Sequence, residues 1–364
     1  MTTGISRRGA LGLAAMAPLV LMAGPGAADD FSGGKIDWLV PFSPGGGSGT
    51  IAQFEAPILT KYLPGNPVIS LTYEPGGGSI KGANLFALRA KPTGREWLIT
   101  SASTQFPYLL QDPRVKYEYQ DWRIVSAAPT GGIVFVRPES GVTGPGDIAK
   151  LEGSKLTYGS QGATSLDLVP LLGFRLLGLD VQHVFGFKAR ADARLAFERG
   201  EITIDYQTTS AYIQNVQPLV DAGEAVPIFT WGMMDGEGNL VRDPNYPDLP
   251  HFGEVYEMLH GEPPAGPEFD AYMAFFTAGF PAQKMIFVPR DTPDEVVDTL
   301  VAGFEAMKDD PDYQANRADV LGNYDQVNGR AAEALFRKGT TISEEHRKAV
   351  VSLLAEEYGV RLGE

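Results

Sequence analysis

Two glycine-rich segments constrain the fold of this chain more than any other feature. They are Val40-Pro-Phe-Ser-Pro-Gly-Gly-Gly-Ser-Gly-Thr50 and Glu74-Pro-Gly-Gly-Gly-Ser-Ile-Lys-Gly-Ala-Asn84. Each follows a short run typical of a strand and precedes a run typical of a helix. Glycines at such a turn let backbone N–H groups approach a ligand closely. The first turn of the following helix adds about half a positive charge. Two such turns predict a site that grips a small carboxylate largely with main chain.

The first 28 residues are typical of an export signal. Arg7 and Arg8 precede an uncharged apolar stretch from Leu11 to Ala23, and small residues precede Asp29. The paired arginines and the weakly apolar stretch favour the twin-arginine route. A membrane anchor is the alternative, but the stretch is shorter than the roughly 20 residues that a span needs. We therefore predict a cleaved signal and a periplasmic protein.

Composition excludes several classes of function. The chain has no cysteine, which excludes disulfides, thiolate metal sites and a lipid-anchoring cysteine. Loss of Arg7 and Arg8 with the signal takes the formal net charge from −15 to −17. This acidity argues against nucleic acid and anionic membrane surfaces as partners. It also repels an anionic ligand, so any affinity for an anion must be local, in a cleft that excludes water. We expect a monomer.

The order of elements predicts an α/β fold. About 336 residues remain after the signal, more than one core usually holds, which predicts two lobes. Strand-like and helix-like runs alternate from Lys35 to Trp231. Such alternation predicts a largely parallel sheet with helices on both faces. Helix-like runs dominate after Asp291 and continue to Tyr358.

Familiar enzyme and metal motifs fail on residue counts. Gly82 is followed by Ala83 where a phosphate-binding loop needs lysine, and Thr50 stands where the dinucleotide fingerprint needs its third glycine. Thr50 also occupies the glycine position of a serine-hydrolase elbow that would start from Ser48. Asp235 to Asn239 resembles the start of a calcium loop, but a hairpin turn fits better because Leu240 replaces the required glycine. The four histidines lack metal-ligand spacing, so we expect no metal and no cofactor.

An ordered series of motifs resembles a known family, the periplasmic solute-binding receptors of tripartite tricarboxylate transporters, often called Bug receptors. The two glycine-rich segments are similar to the family's V-P-F-x-P-G-G-x-x-D and P-G-A-G-G-x-x-G-A. Further matches follow in family order between about residues 36 and 325: Lys91-Pro-Thr-Gly94, Tyr158-Gly-Ser-Gln-Gly-Ala-Thr-Ser165, His183-Val-Phe-Gly-Phe-Lys188, Gly200-Glu-Ile-Thr-Ile-Asp205, Tyr246-Pro-Asp-Leu-Pro250 and Val288-Pro-Arg-Asp-Thr-Pro293. Each match is weak alone, and the ordered set is specific.

The chain departs from the family pattern at three positions. Gly49 stands where the family often has aspartate, and Asp167 lies near the position where many members carry histidine. Lys81 replaces a usual apolar residue. Lys81 is either a solvated helix residue or a charge partner for a second carboxylate of the ligand. These departures bear on the identity of the ligand and leave the predicted fold unchanged.

The resemblance implies a two-lobed, type II-like periplasmic-binding-protein fold with the ligand cleft between the lobes. Lobe one would combine residues 35–131 and 232–330, and lobe two would be residues 132–231. Residues 331–364 would form C-terminal helices. Both glycine-rich turns would then lie on lobe one, and hydroxyl-rich turns of both lobes would face them.

The predicted ligand-binding residues lie on these strand-to-helix turns. From lobe one they are Phe42, Ser43, Gly46, Gly47, Ser48, Gly49, Gly77, Gly78, Ser79, Ser101, Ser103 and Thr104. From lobe two they are Ser160, Ala163, Thr164, Ser165 and Thr208. Any single serine or threonine among them can simply cap a helix, and Phe42 can belong to the core. It is the convergence of several turns that predicts binding.

The predicted function is a periplasmic receptor, not an enzyme. It would capture a small organic carboxylate and deliver it to the membrane subunits of a tripartite transporter. An enzyme acting on a carboxylated substrate is one alternative, and it predicts turnover and a perturbed acid or base in the cleft. A ligand sensor for a signalling partner is another, and it differs only in what docks on the closed form.

Overall fold

The computed structural model describes Met1 and residues 31–362 of the chain. Apart from Met1, the export signal predicted at residues 1–28 lies outside the described residues. Within the described part, no helix combines the length and the apolar character needed to cross a membrane.

The strands fall into two main sheets and two small pairs. In chain order they are β1 Lys35–Val40, β2 Val68–Tyr73, β3 Glu96–Thr100, β4 Trp122–Ala128, β5 Gly132–Val136, β6 Leu156–Ser160, β7 Val181–Phe185, β8 Ile204–Thr208, β9 Val226–Thr230, β10 Met233–Met234, β11 Leu240–Val241, β12 Lys284–Pro289 and β13 Val327–Asn328. The six-stranded sheet has the order β13-β4-β12-β3-β1-β2, and the three-stranded sheet has the order β8-β5-β9. Strands β6 and β7 form one pair and β10 and β11 the other.

Helices follow most of the strands. They are α1 Gly47–Leu59, α2 Ile80–Arg89, α3 Ala102–Leu109, α4 Leu168–Leu176, α5 Arg190–Glu198, α6 Thr209–Asn215, α7 Gln217–Asp221, α8 Phe252–His260, α9 Pro267–Gly279, α10 Asp294–Met307, α11 Pro311–Leu321, α12 Arg330–Gly339 and α13 Glu344–Tyr358. Helix α10 begins directly after its N-cap Pro293, and Asp294 and Glu295 occupy its first turn, where acidic residues are favourable.

The prediction of a largely parallel sheet is wrong. Strands β1, β2 and β3 are parallel, but β12 is antiparallel to both β3 and β4, and β13 is antiparallel to β4. The three-stranded sheet is wholly antiparallel. The physical reason is that β12 and β13 enter the first sheet from a distant part of the chain. No local crossover connection joins them to β3 or β4, so the alternation of neighbouring elements does not fix their direction.

The hairpin predicted at Asp235–Asn239 is confirmed. Strands β10 and β11 flank it and are antiparallel, with Met234 paired with Leu240. The Asp235 carboxylate accepts hydrogen bonds from the backbone N–H groups of Glu237 and Asn239, at 2.9 and 2.8 Å. The carboxylate thus organises the turn itself.

Each main sheet has its own aromatic core. Alternation along β1 buries Ile36, Trp38 and Val40. Trp38 packs edge-to-face on Trp97 with ring centroids 5.5 Å apart, and α10 covers the pair with Phe304. A second, larger core surrounds Trp231 on the three-stranded sheet and extends through α4, α9 and α13. These cores hold the strand ends rigidly, and the turns that follow those ends are positioned by them.

Candidate functional site

Three strand-to-helix turns lie side by side at one edge of the six-stranded sheet. Because β1 pairs in parallel with both β2 and β3, all three strands end at the same edge. The turns that follow Val40, Tyr73 and Thr100 are therefore neighbours. Open α/β sheets bind their ligands at this edge.

The first glycine-rich turn leaves main-chain donors without side-chain partners. Gly46 is the N-cap of α1, and no side chain caps the helix. The backbone N–H groups of Gly47, Ser48 and Gly49 form the first turn, where an α-helix offers no intrahelical acceptor. The first turn also contains no acidic residue. The positive end of the α1 dipole is therefore not neutralised from within the helix.

The backbone of this turn explains why Gly49 departs from the family pattern. A Cβ atom at Gly49 would lie 2.3 Å from the Pro44 carbonyl oxygen, so an aspartate would require the backbone to move. Ser43 is half-buried, and its carbonyl oxygen accepts a hydrogen bond from the Gly46 N–H at 3.1 Å. Phe42 is only 7% exposed and packs in the core around Trp38. Of its two possible roles, Phe42 has the core role.

The second glycine-rich turn is held in a left-handed conformation. Gly76, Gly77 and Gly78 have positive φ, and Ser79 does too, at 111°. This φ is costly for a residue with a side chain. The Ser79 hydroxyl lies 2.8 Å from that of Thr104. The Ser79 N–H donates to the Gly76 carbonyl at 3.1 Å, so this amide is already occupied. Gly77 is exposed at the rim, and Gly78 is buried.

The Lys81 side chain passes beside Gly76 and ends in solvent. Its ammonium pairs with the Glu74 carboxylate at 2.8 Å, and its side chain is 64% exposed. Of the two roles considered for Lys81, the solvated one fits this placement.

The third turn uses its hydroxyls mainly for helix capping. The Ser101 hydroxyl accepts a hydrogen bond from the Ser103 N–H at 3.2 Å, and the Thr104 hydroxyl accepts one from the Ser101 N–H at 3.4 Å. The two residues form a capping box for α3. The Ser103 hydroxyl does not cap α3, and it accepts a hydrogen bond from the Leu166 N–H at 3.1 Å. Ser103 thus touches the turn that follows β6.

The turn after β6 is organised by Asp167. The Asp167 carboxylate accepts hydrogen bonds from the Tyr158 hydroxyl at 2.7 Å, the Ser160 hydroxyl at 3.2 Å and the Gln161 N–H at 2.6 Å. Ser165 accepts from the Asp167 N–H and donates to the Gly162 carbonyl. The hydroxyls of Ser160 and Ser165 therefore shape the turn.

A buried arginine that the sequence did not single out balances Asp167. Arg190 forms ion pairs with Asp167 at 3.3 Å and with Asp205. Its guanidinium carbon lies 4.9 Å from the ring centres of both Tyr158 and Tyr206. Asp205 belongs to a motif that matches the family, but no local pattern in the sequence pairs it with Arg190. These contacts of Arg190 support the turn after β6.

The turns after β1 and β2 closely approach the turns after β8 and β6. A Cβ atom at Gly47 would lie 2.3 Å from the Thr208 hydroxyl and 3.0 Å from that of Ser210. A Cβ atom at Gly78 would lie 3.0 Å from the Ser165 Cβ. Only glycine permits the approach at residue 47, because any side chain there would collide with Thr208.

A polar contact joins the end of α3 to the turn after β6. The Thr164 hydroxyl donates to the Asp112 carboxylate at 3.0 Å and accepts from the Arg114 guanidinium at 3.0 Å. Ala163 beside it is 5% exposed. Of the predicted site residues, those at contacts between turns of different strands are Gly47, Gly78, Ser103, Thr164, Ser165 and Thr208. Ser43 and Gly77 lie at the rim, and Phe42 lies in the core.

Lys284 is the second residue near these turns that sequence reasoning missed. It begins β12, is 5% exposed, and its ammonium donates to the Ser48 hydroxyl at 3.1 Å. Burial lowers the pKa of Lys284 to about 7. A single lysine at the start of an apolar strand is normally solvated, so no sequence pattern indicates that Lys284 is buried.

Within the described residues, no group of three or more His, Asp or Glu side chains is arranged to hold a metal ion.

Comparisons with known proteins identify the class to which this fold belongs. No family model matches the chain. It is 27% identical over 302 residues to a UPF0065 protein of Bordetella pertussis, covering 81% of this chain and 83% of the relative. The structure matches the periplasmic binding protein BugD with a TM-score of 0.67 and 18% identity, over 90% of this chain and 98% of BugD.

Two further matches are structures of proteins with a carboxylate. MatC from Rhodopseudomonas palustris with bound malate has a TM-score of 0.64 and 18% identity, over 87% of this chain and 98% of MatC. A second R. palustris protein with adipate has a TM-score of 0.61 and 18% identity, over 90% of this chain and 98% of that one. These neighbours are solute-binding proteins and not enzymes.

The chain has the mixed α/β fold of the periplasmic binding proteins. Within that class, the resemblance to the Bug receptors that the ordered motifs carry is confirmed.

Proposed function

We propose that this protein is a periplasmic receptor that binds a small organic carboxylate between its two sets of turns and delivers it to a tripartite tricarboxylate transporter. The observation that carries the proposal is the close approach of the uncapped first turn of α1 to Thr208, at the end of β8, and to Ser210, at the start of α6. Main-chain donors and hydroxyl groups then face a common point from opposite sides.

The chemistry of these turns suits a carboxylate. Hydrogen bonds to a charged group are worth roughly 1.5–3 kcal/mol each. Five of them would contribute about 8–15 kcal/mol before ordering costs of several kcal/mol. Micromolar affinity needs about 8 kcal/mol, so main-chain and hydroxyl donors are sufficient. The structural neighbours with malate and with adipate support this ligand class.

The two proposed lobes would close around the ligand by a hinge motion, with the ligand bridging the two sets of turns. The proposed lobes are residues 35–131 with 232–330, and residues 132–231. The proposed partners are the small carboxylate and the membrane subunits of a transporter, and the proposed state is a monomer. A periplasmic location, with cleavage of a twin-arginine signal within residues 1–28, is part of the same proposal and is supported by the periplasmic structural neighbours.

A thermal-shift screen tests the proposal directly. Residues 29–364 would be heated with single mono-, di- and tricarboxylates at a fixed neutral pH. A ligand that binds only the folded state raises the midpoint temperature of thermal unfolding. At a concentration of a hundred times its Kd, the ligand stabilises the folded state by about 2.7 kcal/mol. We expect a clear shift with at least one acid and none with the matching amide or ester. The absence of any shift across the panel would contradict the proposal.

A further inference from the structure

We propose that the Lys284 ammonium is the charged anchor for a carboxylate group of the ligand, held beside the first turn of α1. This assignment rests on the proposed function and names the group that would set its preference for a carboxylate over a neutral solute. It is carried by three observations: the position of Lys284, its lack of a counter-ion, and an unused hydroxyl next to it.

Lys284 lies where β12 reaches the first glycine-rich turn. Its ammonium is 3.1 Å from the Ser48 hydroxyl, and a Cβ atom at Gly47 would lie 3.5 Å from it. The ammonium and the amide groups of the first turn of α1 therefore point to the same small region. The charge of the ammonium and the helix dipole have the same sign, so each makes the other less favourable in the absence of an anion. A carboxylate placed between them would neutralise both.

No acidic side chain within the described residues forms an ion pair with Lys284. Its one hydrogen-bond partner is the neutral Ser48 hydroxyl. Buried lysines are almost always paired, because burial of an unpaired charge is costly. A buried lysine whose partner is supplied by a ligand satisfies this rule in the bound form.

The titratable groups on the surrounding elements do not supply the missing charge. A cavity of about 30 Å³ is lined by Lys284, by Glu55 of α1, by Tyr313 of α11 and by Tyr324. Burial raises the pKa of Glu55 to about 8, so this carboxyl is mostly neutral at pH 7. Burial also raises the pKa of both tyrosines, which are neutral as well. The nearby Asp243 carboxylate is already hydrogen-bonded to the Tyr324 hydroxyl at 2.5 Å.

An unused hydroxyl completes the subsite. Ser210, in the first turn of α6, is 1% exposed, and its hydroxyl has no hydrogen-bond partner among the residues that the structure describes. It would lie 3.0 Å from a Cβ atom at Gly47 and thus faces the first turn of α1. Buried hydroxyl groups are normally paired. A carboxylate oxygen at this point would accept from Ser210, from Lys284 and from the α1 amides together.

The test measures affinity and proton uptake by titration calorimetry with malate, succinate, adipate and benzoate. Wild type is compared with Lys284→Met, which keeps the length of the side chain and removes its charge. Lys81→Met is the matched control, because Lys81 lies beside the second glycine-rich turn but faces solvent. We expect Lys284→Met to bind about tenfold to a hundredfold more weakly and Lys81→Met to bind within about twofold of wild type.

The proton balance separates an anchor from a structural role. At about pH 8 the unliganded lysine is mostly neutral, and a bound carboxylate would favour its charged form. Binding would then take up close to one proton, seen as a difference in apparent enthalpy between HEPES and Tris buffers. Lys284→Met would show no such uptake. If that variant does not fold, Ser210→Ala provides a second test, with affinity reduced about fivefold to tenfold.

The outcomes distinguish the two proposals. Weaker binding by Lys284→Met together with loss of proton uptake supports the anchor. If wild type and Lys284→Met bind one of the acids equally well, or take up the same number of protons, the anchor is overturned while the receptor function stands. If wild type binds none of the acids, both proposals fail.

Discussion

The hydroxyl of Thr164 donates a 3.0 Å hydrogen bond to the carboxylate of Asp112, and this bond joins the turn after β6 to the end of α3. Burial opposes ionisation of Asp112, but hydrogen bonds from Arg114 and Thr164 hold its pKa below the ordinary value. This bond links two segments of the chain that are about 50 residues apart in sequence.

Replacing Thr164 tests this contact. Thr164→Val keeps the shape of the side chain and removes the hydroxyl, which should lower the free energy of unfolding by about 1–2 kcal/mol. Thr164→Ser keeps the hydroxyl and should retain most of the stability. Urea denaturation at neutral pH measures the difference. Equal midpoints for Thr164→Val and wild type would show that the bond contributes nothing.

The close approach at Gly47 predicts a steric effect. Gly47→Ala places a methyl group 2.3 Å from the Thr208 hydroxyl, so the two sets of turns must move apart. We expect a loss of about 1–3 kcal/mol in stability and weaker binding of any carboxylate found in the screen. Gly45→Ala is the control, since its Cβ would meet nothing closer than 3.8 Å. Removing the obstacle in Gly47→Ala/Thr208→Ala should restore part of the loss. No recovery in the double variant would locate the strain elsewhere.

Asp167 should be essential for the folded state. Asp167→Asn leaves Arg190 with only Asp205 and cannot accept every hydrogen bond that the carboxylate accepts. Breaking a buried ion pair in this way typically costs about 3–5 kcal/mol. Asp192→Asn is the comparison, because the Asp192 carboxylate accepts a hydrogen bond from the N–H of Ala189, the N-cap of α5. It should lower the free energy of unfolding by about 1 kcal/mol or less. Chemical denaturation of both variants checks the ranking, and similar losses would refute it.

Glu55 predicts a pH dependence of stability. Its pKa is raised from 4.5 to about 8 by burial, an effect that the hydrogen bond from Gln326 only partly offsets. The unfolded chain therefore releases this proton at lower pH than the folded protein, and stability from this group is lost as the pH rises from about 4.5 to 8. Glu55→Gln should match wild type near pH 5 and become the more stable protein by pH 8. A constant difference between those pH values would contradict the assignment.

Lys284 predicts the opposite trend. Its folded pKa of about 7 lies below the ordinary lysine value of 10.5. The unfolded chain then binds the extra proton between these values, so stability rises with pH across this range. Lys284→Met should be more stable than wild type by on the order of 3 kcal/mol near neutral pH, and the gap should shrink towards pH 10. Thermal denaturation across this range measures it, and a destabilised variant would show that the lysine has a structural partner.

The sequence predicted the parts of the fold that depend on local pattern. The strand Lys35–Val40 and the glycine-rich turn after it follow from a buried strand pattern and a run of glycines. The apolar run from Ile51 predicts the helix that follows, but α1 begins four residues earlier, at Gly47. The direction of β12 could not be predicted, because β12 pairs with β3 and β4, which lie far from it in the sequence. The same limit applies to the site. Arg190 and Lys284 draw their roles from partners 15 to 236 residues away, and nothing in their neighbouring residues marks them.

The central claim is that a carboxylate lies between the first turn of α1 and the turns of the other sheet. A crystal structure of residues 29–364 with the acid that gives the largest thermal shift tests this most directly. We predict a carboxylate oxygen within about 3 Å of a backbone nitrogen among Gly47, Ser48 and Gly49. An acid bound at any other surface, with these three nitrogen atoms facing protein or water, would contradict the account.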